Sequence, residues 1–151
     1  KTKELMAGLK NGGSYAVTDE MRTKLADFAA GFASEEETAA CIKHIYDKTG
    51  YVMDTHTAVA AHVCGQYRSR SEDARKCVVA STASPYKFVK SVMTAIDGKY
   101  QSEDEFALLE ELKRVSGVEL PQAIRDILDA KALHTLECDA DKMKELVRDL
   151  L

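Results

Sequence analysis

Tryptophan is missing from this 151-residue chain, proline occurs twice and glycine eight times. No segment is of low complexity, and no internal repeat is present. No apolar run approaches the roughly 20 residues of a membrane-spanning helix, and the amino end lacks the apolar core of a secretory signal. A net charge of −4, a pI near 5.6 and the lack of a basic stripe argue against general nucleic-acid binding. The four cysteines, Cys41, Cys64, Cys77 and Cys138, form neither a C-x-x-C pair nor a zinc pattern. Each has apolar neighbours, so buried free thiols are expected, in keeping with a reducing cytoplasm. G-x-G-x-x-G, P-loop and G-x-S-x-G motifs are absent. No nucleophile–base pair can be assembled from spacing alone. What remains, 45% hydrophobic and 30% charged residues, is the composition of a soluble globular protein long enough for one domain with a core. The chain begins at Lys1 without methionine, which fits either a processed protein or a piece of a longer one.

Periodicity and caps predict a helix-rich α/β arrangement of about seven helices and about two or three strands. Leu5, Met6 and Leu9 form a short apolar pattern, Gly12-Gly13 a turn, and residues 14–17 a brief extended piece. Thr18 caps a helix expected to reach Phe32, with Met21, Leu25, Phe28 and Phe32 on one face. Ser34-Glu35-Glu36-Glu37 reads as a capping box for a second helix that turns Ile42, Ile45 and Tyr46 inward and stops at Gly50. Residues 18–50 are thus expected to form a helical hairpin after a lead-in over 1–17. Asp54 or Thr55 caps a helix to about Tyr67, and 68–75 is an exposed connection. Val78 to Ala80 reads as a buried strand. Ser84 caps the next helix with Pro85 at its first position, and Val89, Val92, Met93 and Ile96 share one face. A second capping box at Ser102-Glu103-Asp104-Glu105 precedes a helix carrying Phe106, Leu109 and Leu112, closed by Gly117. Pro121 opens a short helix, residues 132–138 alternate as a strand, and Asp139 caps a last helix striped with Met143, Leu146, Val147 and Leu150. Residues 51–98 therefore form a helix–strand–turn–helix segment, and 99–151 the carboxyl-terminal helices and strand.

The stretch from Cys77 to Phe88 organises the chemistry. A turn of hydroxyl residues after a strand points N–H groups and hydroxyls at whatever lies beyond it, which suits an anion or a polar ring atom. The alternative is that Ser81 to Ser84 only cap a helix. His56, two residues after Asp54, is an acid–base or metal pair only if a third ligand exists; a capping role needs none. His44, His62 and His134 have no partner in the sequence. Lys87 opposes the dipole of the helix it starts, so it either serves an anion or is a solvated surface lysine.

Two of these stretches together resemble one family. Asp54-Thr55-His56-Thr57-Ala58-Val59-Ala60 is similar to the Asp-Pro-His-Thr-Ala-Val motif of threonine synthase, departing from it at Thr55. Ser81-Thr82-Ala83-Ser84-Pro85-Tyr86-Lys87-Phe88 is similar to that family's Ser-Thr-Ala-(Ser/His)-Pro-x-Lys-Phe segment. The resemblance runs from about Gly13 to the carboxyl end. It implies a pyridoxal 5′-phosphate lyase that converts O-phospho-L-homoserine and water to L-threonine and phosphate, on the open, mostly parallel sheet of the tryptophan-synthase β-like group. It implies Thr82, with Ser81 as the fallback, as the hydroxyl that meets the pyridine nitrogen. A neutral hydroxyl does not force that nitrogen to be protonated, as a carboxylate would. The family's cofactor-bearing lysine lies in a Phe-Lys-Asp segment, which this sequence lacks along with the glycine-rich phosphate cup. The expectation is therefore the trailing, carboxyl-terminal part of the enzyme: no catalytic residue of its own, no covalently bound cofactor, and no activity alone. Its partners are expected to be the missing amino-terminal half and the small-molecule substrate, with no nucleic acid, membrane or metal. The face left uncovered is expected to promote self-association. The alternative from another class is a small helix-rich interaction or regulatory domain without catalysis.

Overall fold

Helices account for the regular structure of the computed structural model, which describes residues 2–71, 73–128, 130–131, 133 and 135–150. In chain order these are α1 (Thr2–Gly12), α2 (Asp19–Lys24), α3 (Glu35–Thr49), α4 (Thr55–Arg70), α5 (Val89–Ile96), α6 (Glu105–Ser116), α7 (Gln122–Leu128) and α8 (Met143–Asp149). Short 3-10 turns occupy Pro85–Phe88, Gly98–Ser102 and Ala140–Lys142. No described helix is long and apolar enough to cross a membrane.

The chain divides into two units, Lys1–Gly117 and Val118–Leu151. In the first, α5 is the hub: it packs on α3 and α6, and on the 3-10 turns at either end of it. Its expected face, Val89, Val92, Met93 and Ile96, is entirely buried. Ile42 of α3, Ala58 of α4, and Leu108, Leu109 and Leu112 of α6 complete that core with Tyr86 and Tyr100. The ends of α3 follow local chemistry. Glu37 N–H donates to Ser34 Oγ at 3.2 Å, while Ser34 N–H donates to Glu37 Oε2 at 2.7 Å. Gly50 closes the helix at φ 73°, a conformation that costs glycine little. The second unit holds α7 and α8. The α8 stripe is expressed, but Met143, Val147 and Leu150 are exposed.

The expected strands are the main correction. No β-strand occurs among the described residues. Residues 77–83 form no regular element: Val78 is 93% exposed, and no neighbouring segment supplies the ladder that would make the run a strand. Residues 14–17 likewise have no ladder. Of the expected strand over 132–138, residues 133 and 135–138 are irregular, while Ala132 and His134 lie outside the described residues.

The helix expected from Thr18 to Phe32 stops at Lys24. Leu25 N–H is shared between the Met21 and Arg22 carbonyls at 3.1 Å, and Phe28 N–H bonds to the Leu25 carbonyl at 2.9 Å, so the chain tightens out of the helix. Its apolar face finds no packing to hold it: Phe28 is 74% and Phe32 81% exposed. The packed helical pair is α3 with α4. Gly31 is instead pressed on α4, where an added Cβ would lie 2.9 Å from Val63 Cγ1.

Ser102 does not open a capping box. It ends the 3-10 turn begun by Asp97, and Asp104 caps α6 by accepting from Phe106 N–H at 2.9 Å and Ala107 N–H at 3.3 Å. That start turns Leu108 inward and leaves Phe106 exposed. The all-thiol expectation also fails. Cys64 on α4 and Cys77 in the irregular run form a disulfide, and Cys138 is exposed. Cys41 is a half-buried free thiol, and burial raises its pKa.

Two outcomes follow for stability. Leu112→Ala is expected to destabilise by about 2–5 kcal/mol in urea unfolding, against roughly 0.5 kcal/mol or less for the exposed Phe106→Ala. Glu111 accepts from Arg114 Nη2 and from the Tyr100 hydroxyl, each at 2.5 Å. These bonds, Arg114 first, lower its carboxyl from 4.5 to about 2. A carboxyl depressed in the folded state stabilises fully above its unfolded pKa and loses that stabilisation as pH falls through the folded one. The stability gap between the native chain and Glu111→Gln is therefore expected to be constant at neutral pH and to close as pH falls from 4.5 towards about 2.

Candidate functional site

The site grows from the start of α4. Aspartate is a strong N-cap, and Asp54 fills that role: its Oδ1 accepts from His56 N–H at 2.9 Å and from Thr57 N–H at 3.2 Å. Its side chain is completely buried. The second oxygen, Oδ2, accepts the Thr57 hydroxyl proton. These donors all belong to the first turn of α4, and the ring of His56 in that same turn places its Nδ1 3.6 Å from Oδ1.

Thr57 then joins the two motifs. Its Oγ1 lies 3.0 Å from Ser81 Oγ, 24 residues further on. A threonine hydroxyl carries one proton. With that proton on Asp54, the Thr57 oxygen is the acceptor and Ser81 the donor. A second contact runs alongside: the His56 and Phe88 rings stand 5.0 Å apart between centroids, tilted by 39°. Ser84 caps the turn at Pro85–Phe88, accepting from Tyr86 N–H at 3.3 Å. The Ser84–Pro85 reading thus holds, although the helix begins with a 3-10 turn. Lys87 is exposed, and its ammonium lies 5.4 Å from the Phe88 ring centroid.

Ser81 and Thr82 are both exposed, at the end of the unladdered run. The flanking groove, about 350 Å³ and lined by Glu35, Thr38, Thr55, His56 and Phe88 among others, includes neither of them. His56 is therefore a capping neighbour with an exposed ring. His62 lies apart, between Glu37 and Gln66: its Nε2 is 3.6 Å from Glu37 Oε1 and 2.9 Å from Gln66 Nε2. His44 and Cys41 line the same α3–α4 groove. Among the described residues no three histidine, cysteine or acidic side chains gather as metal ligands.

Sequence reasoning missed Thr57 as the link. Its position three residues after an aspartate cap was the available signal, since that N–H is one that a cap accepts. The onward bond to Ser81 had no local signal. The Cys64–Cys77 bond had none either, because connectivity cannot be read from spacing.

Comparison with known proteins points to one family. A family model described as threonine synthase, C-terminal, matches residues 57–147. Threonine synthase of Saccharomyces cerevisiae is 32% identical over 147 residues, covering 90% of this chain and 28% of that protein. Human threonine synthase-like 1 is 32% identical over 101 residues, 66% of this chain and 13% of that protein. The crystal structure of PLP-bound threonine synthase from Brucella melitensis superposes with a TM-score of 0.60 and 28% identity, over 97% of this chain and 28% of that one. The chain thus spans little more than a quarter of the length of the yeast protein and of the Brucella chain.

Thr57→Val leaves Asp54 Oδ2 buried without its donor and Ser81 without its acceptor. The expected cost is about 1–3 kcal/mol in denaturant unfolding, with faster amide exchange over 77–83, and Thr57→Ser is expected to restore both. Equal stability of the valine and serine variants would dismiss the link.

Proposed function

The chain belongs to the threonine synthase family as its carboxyl-terminal portion, and we propose that it supplies the face of the pyridoxal phosphate site that meets the cofactor's ring nitrogen. The parent enzyme then converts O-phospho-L-homoserine and water to L-threonine and phosphate. When bound, the cofactor supplies the electron sink for carbanionic states of the substrate amino acid.

The residues present suit that ring. The hydroxyls exposed at the turn, Ser81 and Thr82, are neutral. The carboxylate beneath them, Asp54, is buried and occupied by α4 donors, so it is not available to the ring. Thr82 is assigned the bond to the ring nitrogen, leaving it unprotonated and the electron sink moderated. Ser84 and Pro85 fix the direction in which the chain leaves the turn, and α5 anchors it in the core. The observation that carries this reading is the hydrogen bond between the Ser81 and Thr57 hydroxyls, which holds the two family-like motifs together at an exposed bend.

The unladdered run supports the same reading. Residues 77–83 offer unladdered backbone groups and an exposed Val78, features that fit against a sheet edge in the remainder of the synthase. The sequence contains no Phe-Lys-Asp segment, so the cofactor-bearing lysine is assigned to that remainder and the chain alone to inactivity. Self-association of the isolated chain through its exposed apolar residues belongs to the same proposal.

The experiment measures phosphate release from O-phosphohomoserine by the synthase translated from the complete coding sequence, and by this chain alone. Release is expected only from the former. Thr82→Val in the complete enzyme is expected to weaken cofactor binding about two- to twelvefold, from a hydrogen bond of about 0.5–1.5 kcal/mol. Turnover by the isolated chain, or no release by the complete enzyme, would reject the assignment.

A further inference from the structure

The hydrogen-bond directions at the bend carry more than its location. Asp54 presents its two oxygens differently: Oδ1 takes the two backbone N–H groups at the start of α4, and Oδ2 takes the Thr57 hydroxyl. A carboxylate only accepts. The Thr57 proton must therefore point at Asp54, and the Ser81 proton must point back at Thr57, 3.0 Å away. Ser81 is left with only lone pairs towards the outside, although its side chain is exposed.

We infer that Asp54 is a positioning residue which, through Thr57, turns the Ser81 proton inward and so reserves the cofactor's ring nitrogen for Thr82. The inference rests on the reading of the bend as the cofactor's nitrogen face. The ring nitrogen is an acceptor, and an outward Ser81 lone pair offers it nothing. Two adjacent hydroxyls of similar chemistry are thereby made unequal by a buried charge that touches neither the ring nor the bend directly. The nitrogen then receives one neutral hydrogen bond and not two, which limits how strongly it withdraws electrons.

The test uses the complete holoenzyme loaded with pyridoxal phosphate labelled with ¹⁵N in the ring, and reads the nitrogen resonance. Asp54→Asn inverts the relay. The amide oxygen retains the two backbone N–H bonds of the cap, and the amide nitrogen donates to Thr57 where Oδ2 accepted. Thr57 then donates to Ser81, and the Ser81 proton is released outward. The expected result is a shift of the resonance to lower frequency, the direction taken when a pyridine nitrogen gains a hydrogen bond. Ser81→Ala in the native background is expected to leave the resonance in place, and adding Ser81→Ala to Asp54→Asn to cancel the shift. Thr82→Val is expected to move the resonance the opposite way. If Asp54→Asn does not fold, Thr57→Val removes the acceptor of the Ser81 proton and is expected to give the same downward shift. A resonance that answers Thr82→Val but neither Asp54→Asn nor Thr57→Val overturns the relay alone. So does a resonance that moves with Ser81→Ala in the native background. No response to Thr82→Val overturns the reading of the bend, and the relay with it.

Discussion

A carboxylate withdrawn from water must find donors, and Asp54 finds them in the first turn of α4 and in Thr57. That requirement explains much of the local architecture. It fixes where α4 starts, where the Thr57 hydroxyl proton goes, and, through Thr57, where the chain passes 24 residues later at Ser81. Replacing the carboxylate's partners one at a time leaves a buried charge unsatisfied, so the group acts as a unit. Aspartate here serves as a cap and as a clasp between segments, and the second role depends on the first holding its Oδ1 still.

Around this clasp the first unit is built on α5. A short helix whose whole inner face is buried can anchor what lies on either side of it in the chain. On its amino-terminal side lies the Pro85–Phe88 turn and, beyond it, the hydroxyl bend. On its carboxyl-terminal side lie the 3-10 turn at Gly98–Ser102 and α6, held by the Tyr100–Glu111–Arg114 cluster. The bend is thus suspended between two fixed points, the clasp at Thr57 and the core at α5. The run before it, residues 77–83, lacks a backbone ladder of its own and is tied to α4 by the Cys64–Cys77 bond. The proposed function gives this contrast a meaning: a well-packed helical base supports an exposed segment that would meet the remainder of the synthase.

Helices with a cap and a packed face were legible before any coordinates. The Ser34 box, the Asp54 cap, the Ser84–Pro85 start and the α5 stripe all stand in the structure, because each depends on residues within a turn or two of one another. The segment from Thr18 to Phe32 has an equally good stripe and ends early, because a stripe stabilises a helix only where something covers it. Val78 to Ala80 has strand composition and no strand, for the same kind of reason: pairing is a property of two segments, and pattern describes one. Ser102 shows a third way to be misled, since two capping signals two residues apart compete, and the 3-10 turn from Asp97 gave the position to Asp104.

At the site, the residue types and their order along the chain were set by the sequence: an aspartate cap, a threonine three positions on, and a hydroxyl-rich bend before a serine–proline helix start. Those are local facts, and local steric and hydrogen-bonding rules suffice to read them. Tertiary structure alone decided that Thr57 and Ser81 touch, that Cys64 meets Cys77, and that the apolar run before the bend stays uncovered. Contacts across two dozen residues depend on how the helices between them pack, and that packing energy is shared over the whole core and not written at any one position.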